Sequence, residues 1–188
     1  MISDKDRSGW FGASDTRYIM GNYETKSFRN WWLEKLGLKT NSFTNLAMMA
    51  GTYYEHKVLD AAVPLARKDH QILIPELKLR INLDGDINDM VYEVKTYNKK
   101  NGFEVYPHYE HQVRVQMFAK RIEQGAIISY GLLPKDYKNF FSEIDTRRIG
   151  FHPINYSAKF IETKYLPRLR YLCECLELKT MPKNFKGE

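Results

Sequence analysis

The chain has 188 residues and a formal net charge of +6, with 43% hydrophobic and 28% charged residues. That suffices for one substantial core, and no apolar run approaches the roughly 20 residues a membrane helix needs. Two cysteines, Cys173 and Cys175, are too few for a disulfide framework, a zinc site or an iron–sulfur cluster. The polar start MISDKDRSGW lacks the apolar core of a signal peptide, so a single domain over residues 1–188 in the cytoplasm is expected. Charge is uneven: residues 1–119 carry 16 basic and 15 acidic side chains, residues 120–188 carry 13 and 8. A basic C-terminal third suits a polyanionic partner.

Short helices are expected over about 10–62. Ser14 caps a first one through Tyr18, stopped near Gly21; Ser27 caps a second through Trp31 and Leu33, ended at Gly37. Thr44 to about Ala62 carries the strongest helical pattern, with Ala47, Met48, Gly51, Tyr54, Glu55, Val58 and Leu59 at three- and four-residue spacings. A hairpin core follows over about 72–98. In LKLRINLD, Leu77, Leu79, Ile81 and Leu83 alternate with Lys78, Arg80, Asn82 and Asp84, and MVYEVKTY reads as a second strand. Pro107 opens a helix through about Gln124, closed by Gly125. AIISYGLL reads as a buried strand and FHPINYS as a loop or edge strand. A C-terminal helical segment over about 157–180 holds a helix from Ala158 to Leu178, interrupted at Pro167. This order predicts an α/β domain with a mixed sheet.

The stretch DGDINDMVYEVK places three aspartates, a glutamate and a lysine where strands usually disfavour Asp. A two-residue turn at Asn88-Asp89, both tolerant of positive φ, sets Ile87 against Met90, Asp84 against Glu93 and Asn82 against Lys95. Opposed side chains start roughly 4.5–5.5 Å apart at Cβ, where two carboxylates repel unless a cation bridges them. Oxygen ligands suit Mg²⁺ or Mn²⁺. Lys95 shares a face with Glu93, where an ammonium can orient a water or stabilise phosphate charge. A solvated hairpin of mixed charge has the same spacing. Glu55, one turn after Gly51, points either at the acidic cluster or at solvent beside Lys57; Gln112 and Gln116 share a face of the following helix.

Four features in this order, Gly51-x-x-x-Glu55, Asp84-Gly85, Glu93-Val94-Lys95 and the helix EHQVRVQMFA, resemble the PD-(D/E)XK nuclease superfamily. With FGASDTRYIMG near the N-terminus, the pattern is similar to the phage lambda exonuclease and YqaJ-type alkaline exonuclease branch, over residues 9–119. The resemblance implies a restriction-endonuclease-like core, a mixed central β-sheet flanked by helices. It implies DNA as substrate and catalysis by one or two Mg²⁺ ions, with Mn²⁺ as a substitute. It implies further 5′-to-3′ digestion of linear duplex DNA in phage-type recombination, a homotrimer, a single-strand annealing protein as partner, and the host cytoplasm for a phage-encoded chain.

Carried over by position, Asp84 and Glu93 are the principal metal ligands, the Val94 carbonyl a third, and Lys95 the catalytic lysine. Glu55 serves a second metal through water, Gln112 helps position the water, the scissile phosphate or Lys95, and Ser14 and Arg17 contact phosphate near the DNA end. Leu83 stands where the branch has Pro. Asp86 adds a carboxylate on the face of Asp84, and the cross-strand register favours Asp84 as the ligand. Arg147, Arg148, Lys164, Arg168 and Arg170 are candidates for DNA approach, and Tyr53, Tyr54, Tyr97 and Tyr109 for base stacking. The alternatives are a structure- or sequence-specific endonuclease of the same superfamily, or a catalytically silent DNA-binding or inhibitor protein keeping the fold.

Overall fold

Alternating apolar residues and the apolar stripe of one long helix build a mixed sheet with helices against it. The computed structural model describes residues 6–40 and 43–185; residues 41–42, inside the expected N-terminal helical span, lie outside the described ones. In chain order the elements are α1 (Thr16–Ile19), α2 (Lys26–Lys35), α3 (Leu46–Ala62), β1 (Arg67–Ile74), β2 (Leu79–Ile87) and β3 (Met90–Asn98). Then come α4 (Pro107–Lys120), β4 (Gln124–Leu132), β5 (Ile149–Asn155), α5 (Ala158–Phe160) and α6 (Leu166–Glu177). The sheet order is β1-β2-β3-β4-β5, antiparallel at β2–β3 and β4–β5 and parallel at β3–β4. A parallel pair needs a long crossover, and α4 supplies it. The expected α/β class with a mixed sheet flanked by helices is borne out. Among the described residues no helix is long and apolar enough to cross a membrane.

The described residues fall into two compact units, one drawn from 1–42, 72–81 and 157–188, the other from 43–71 and 82–156. In the second unit, Ala50, Tyr54, Val58 and Leu59 of α3 pack on Tyr92, Val94, Ala126, Ile128, Tyr130 and Leu132. Those strand positions share a parity, so α3 covers one face of β3 and β4. The opposite parity, Glu93 and Lys95, faces α4, whose Gln112 and Gln116 bond to Glu93. β4, buried along all but its first residue, is the expected core strand. β5 lies at the sheet edge, where Pro153 removes no ladder bond that the sheet interior needs.

In the first unit an aromatic cluster of Phe11, Tyr23, Phe28, Trp31 and Trp32 is buried. Beside it lies a buried ion pair: Lys35 Nζ donates to Asp15 Oδ2 at 2.6 Å and to the Trp10 carbonyl at 2.9 Å. Trp31 Nε1 donates to Asp15 Oδ1 at 2.7 Å. Both cysteines are buried free thiols, and burial pushes the Cys173 thiol up to about 11.

Several element ends differ from expectation. Ser14 is not the cap; it lies within a 3-10 turn over Ala13–Asp15 whose N-cap is Gly12, and Asp15 reaches back to accept the Gly12 N–H at 2.7 Å. α2 is capped by Thr25, which accepts the Phe28 N–H at 3.1 Å, two residues before Ser27. α3 is capped by Asn45. α4 ends at Lys120, not Gln124, because Arg121 takes the left-handed position at φ 61°. Gly125 belongs to β4: a Cβ there would meet Val113 Cγ1 at 2.7 Å, so its glycine serves close packing rather than helix termination. The interruption of the C-terminal helix is a π turn over Ile161–Tyr165, ending two residues before Pro167.

Candidate active site

The site grows from a break in the β2–β3 ladder. The ladder pairs Ile87 with Met90, Asp86 with Val91 and Gly85 with Tyr92, the register expected from the turn. Asn88 alone takes positive φ, at 49°, so Asp89 needs none. Beyond Gly85 the Val94 N–H goes to the Asp84 carboxylate, Oδ2, at 2.8 Å. Asp84 thereby turns into the seam instead of continuing the strand pair. Gly85 is required beside it: a Cβ would lie 2.5 Å from Leu59 Cδ2 of α3. The Asp-Gly dipeptide reflects this close approach of helix to strand. Leu83, in place of the branch's Pro, is a core residue at 1% exposure.

Glu93 is gripped on both oxygens. Oε1 accepts Lys95 Nζ at 2.6 Å and Gln112 Nε2 at 2.7 Å; Oε2 accepts Gln116 Nε2 at 2.5 Å. Lys95 Nζ also donates to Gln112 Oε1 at 3.2 Å and lies 5.1 Å from the Tyr109 ring centroid. Burial pulls the Lys95 pKa down, but the charge and hydrogen bond of Glu93 outweigh it and hold it above its usual value. The side chain is an ammonium at neutral pH. Gln116 is fully buried, and its Oε1 has no hydrogen-bond partner, an arrangement that costs about 1–3 kcal/mol.

Asp84, half-buried, has its pKa pushed well above the carboxylate range by burial, then by the negative charges of Glu93 and Glu55. Glu55 of α3 is raised by burial and then by Glu93. Three mutually repelling carboxylates with oxygen donors form a set that a hard divalent cation would neutralise, so the residues fit such an ion. Asn45, Ala47, Met48, Gly51, Glu55, Val94, Lys95 and Thr96 line an open groove of about 390 Å³ beside them.

Asp86 has a different role. Arg67 donates to both its oxygens at 3.2 and 2.9 Å, Lys120 Nζ to Oδ2 at 2.5 Å, and His70 Nδ1 lies 3.2 Å from Oδ1. Burial pushes its pKa up, yet the hydrogen bonds from Arg67 and Lys120 prevail and hold it below the usual value. This carboxylate is already balanced by protein cations. Gln112, Gln116 and Lys120 recur every four residues of α4, one stripe serving both acids. The same spacing was available in the sequence and would have added Lys120 to Gln112 and Gln116.

The structure thus gathers Glu55, Asp84, Glu93, Val94, Lys95 and Gln112. Ser14 and Arg17 belong to the other compact unit, where both are exposed; Arg17 Nη2 donates to Tyr18 Oη at 2.8 Å. Among the described residues, the one group of three possible ligands whose donor atoms all lie within 4.8 Å of one another is Glu55, His56 and Asp69, which shares Glu55 with the acidic cluster. His56 Nε2 lies 3.2 Å from Asp69 Oδ1 in that group. Sequence spacing did not reveal it, because Asp69 comes from β1.

Two other candidates are corrected, Arg148 and Tyr54. Arg148 is buried in an ion pair with Asp136, its guanidinium 4.5 Å from the Tyr130 ring centroid, so it holds the core and is closed to DNA. Tyr54 is fully buried, its hydroxyl donating to the Asn139 carbonyl at 2.9 Å, and cannot stack on a base. Arg168 is half-buried, 5.9 Å from the Tyr23 ring centroid; Lys164 and Arg170 are exposed, as is Arg147, which pairs with Asp145. Tyr53 is exposed and stacks on Phe140 at 4.8 Å, while Tyr97 packs on Phe103.

No family model and no curated protein matches the chain. Solved structures do. The alkaline exonuclease LHK-Exo from Laribacter hongkongensis aligns at a TM-score of 0.66 and 21% identity, covering 92% of this chain and 94% of that one. Its complex with dAMP aligns at 0.67 and 21%, with the same coverage. A phage related exonuclease from Haemophilus somnus 129PT aligns at 0.66 and 12%, covering 91% and 96%. The fold is that of these exonucleases. The fold that the short motifs implied is therefore borne out over nearly the whole chain, including the C-terminal third where no motif was found.

Proposed function

We propose that the protein is a Mg²⁺-dependent DNA exonuclease that hydrolyses phosphodiester bonds, acting 5′-to-3′ on linear duplex DNA in phage-type recombination. The observation that carries this reading is the convergence of Asp84, Glu93 and Glu55 with the Glu93-anchored ammonium of Lys95 beside an open groove. The exonuclease fold supports it, as does the dAMP bound by LHK-Exo.

In this reading Asp84, Glu93 and the Val94 carbonyl would hold one Mg²⁺, for which Mn²⁺ would substitute, and Glu55 would serve a second through water. When bound, such ions would supply Lewis-acid chemistry, acidifying a water and offsetting charge on the phosphate and on the leaving 3′ oxygen. Lys95, kept protonated by Glu93, faces the charge that develops on the phosphate or orients the attacking water. Gln112 bridges Glu93 and Lys95 and fixes their separation. Ser14 and Arg17 take phosphate near the DNA end. A homotrimer and a single-strand annealing partner complete the proposal.

The test is digestion of linear duplex DNA labelled at either end, beside a closed circle, with Mg²⁺ or EDTA and with Lys95→Ala in parallel. Metal-dependent loss of the linear substrate alone, abolished by Lys95→Ala, is expected, with the 5′ label released first. Cutting of the circle would identify an endonuclease. DNA binding without cleavage in Mg²⁺ or Mn²⁺ would identify a silent binding protein.

A further inference from the structure

An ionised carboxylate offers about four lone-pair positions, two on each oxygen. On Glu93, both positions of Oε1 are taken, by Lys95 and Gln112, and one position of Oε2 is taken by Gln116. A single position remains, on Oε2. The amide of Gln116 has no choice of orientation, because a carboxylate only accepts; Nε2 must face Glu93, which leaves Gln116 Oε1 buried without a partner. A glutamine kept only for packing would be expected to satisfy both amide ends. This one satisfies only the end that holds Glu93. The terminal torsion of a glutamate is broad and roughly two-fold, so donors on Oε1 alone do not stop the carboxylate from turning. A rigid donor on Oε2 does.

We propose that Gln116 is a positioning residue that locks the Glu93 carboxylate, confines it to one metal bond through Oε2, and so biases the site toward small six-coordinate ions over Ca²⁺. The inference rests on the assignment of Asp84 and Glu93 as ligands. Ca²⁺ gathers six to eight oxygens and commonly takes both oxygens of one carboxylate, whereas Mg²⁺ demands octahedral geometry and few carboxylate oxygens. Holding Oε1 against Lys95 and Gln112 removes the two-oxygen grip that favours the larger ion.

The experiment is calorimetric titration of the full chain with Mn²⁺ and, separately, with Ca²⁺, for the native protein, Gln116→Met and Asp84→Asn. Gln116→Met keeps the volume and loses the donor. Its Mn²⁺ affinity is expected to fall about tenfold while Ca²⁺ affinity does not fall, narrowing the preference by a similar factor. Gln116→Leu, likewise without a donor, narrows it in the same direction and serves if the methionine variant melts early. Equal movement of both affinities, or none, overturns the proposal alone, provided Asp84→Asn weakens both ions. Mn²⁺ binding untouched by Asp84→Asn overturns the metal-site assignment, and the proposal with it.

Discussion

Asp84 accepts the Val94 N–H at 2.8 Å, a donor that a main-chain carbonyl of β2 would take in an unbroken ladder. One side chain thus both opens the strand seam and delivers a carboxylate to it. The cost is electrostatic, since burial, Glu93 and Glu55 all raise the Asp84 pKa. A carboxyl raised above its unfolded value contributes stability that is complete below that value, 3.8, and is lost as pH rises through the folded pKa. Asp84→Asn keeps an acceptor for Val94 and removes the charge. In EDTA the variant is expected to melt at or above the native protein at pH 8, the gap shrinking toward pH 4, while hydrolysis disappears. Thermal melts across that pH range check it; a variant that melts well below the native protein at pH 8 would contradict it.

Lys95→Ala is expected to lower the hydrolysis rate by about 10²–10³-fold or more, the scale at which one preorganised charge-stabilising group acts. Single-turnover digestion at saturating Mg²⁺ measures this apart from DNA binding. A loss confined to binding would move Lys95 out of the chemistry.

Mg²⁺ at about 100 times its Kd should stabilise the native protein by about 2.7 kcal/mol, since only the folded chain assembles the three carboxylates. EDTA should reverse the shift and Asp84→Asn should abolish it. Scanning calorimetry of both proteins, with and without metal, reads the result.

Asp86 should behave as a structural acid. Its pKa is held below 3.8 by Arg67 and Lys120 against the pull of burial, so its contribution is present above 3.8 and lost as pH falls through the folded value. Asp86→Asn is expected to cost about 1.5–3 kcal/mol at pH 7, the range for hydrogen bonds to a charged group. The difference from the native protein should close at acid pH, and metal-dependent digestion should persist. Urea melts at pH 7 and pH 3, with digestion at pH 7, test both halves.

Gly85→Ala should destabilise by about 1–3 kcal/mol, because the new methyl would lie within 2.5 Å of Leu59 Cδ2. Adding Leu59→Ala should cost less in the Gly85→Ala background than in the native one. Additive losses in that double-mutant cycle would show that the two side chains do not meet.

Much of this arrangement was legible in local pattern. Leu79, Ile81 and Leu83 alternate with polar residues and are buried as alternation requires. The Asn88-Asp89 turn set the β2–β3 register correctly, and that register placed Asp84 near Glu93. The helix ends were less legible. Asp15, Thr25 and Arg121 are residues whose capping roles depend on geometry at single positions, and glycine at 125 suggested a terminus although it serves packing against Val113.

What the sequence by itself determined is the set of short-range facts: which residues face together on a strand or helix, where the hairpin turns, and that acids and a lysine are crowded into one hairpin. Backbone periodicity carries these, acting over a few residues. Only the tertiary structure decided which acid is free for a cation. Asp86 is neutralised by Lys120, 34 residues away, and Glu93 is locked by Gln116, 23 residues away. Asp84, whose chain neighbours are almost the same, keeps its repulsion with Glu55 and Glu93. Two aspartates separated by one glycine therefore do opposite work, because charge balance is set by whichever side chains the packing brings within a few ångströms.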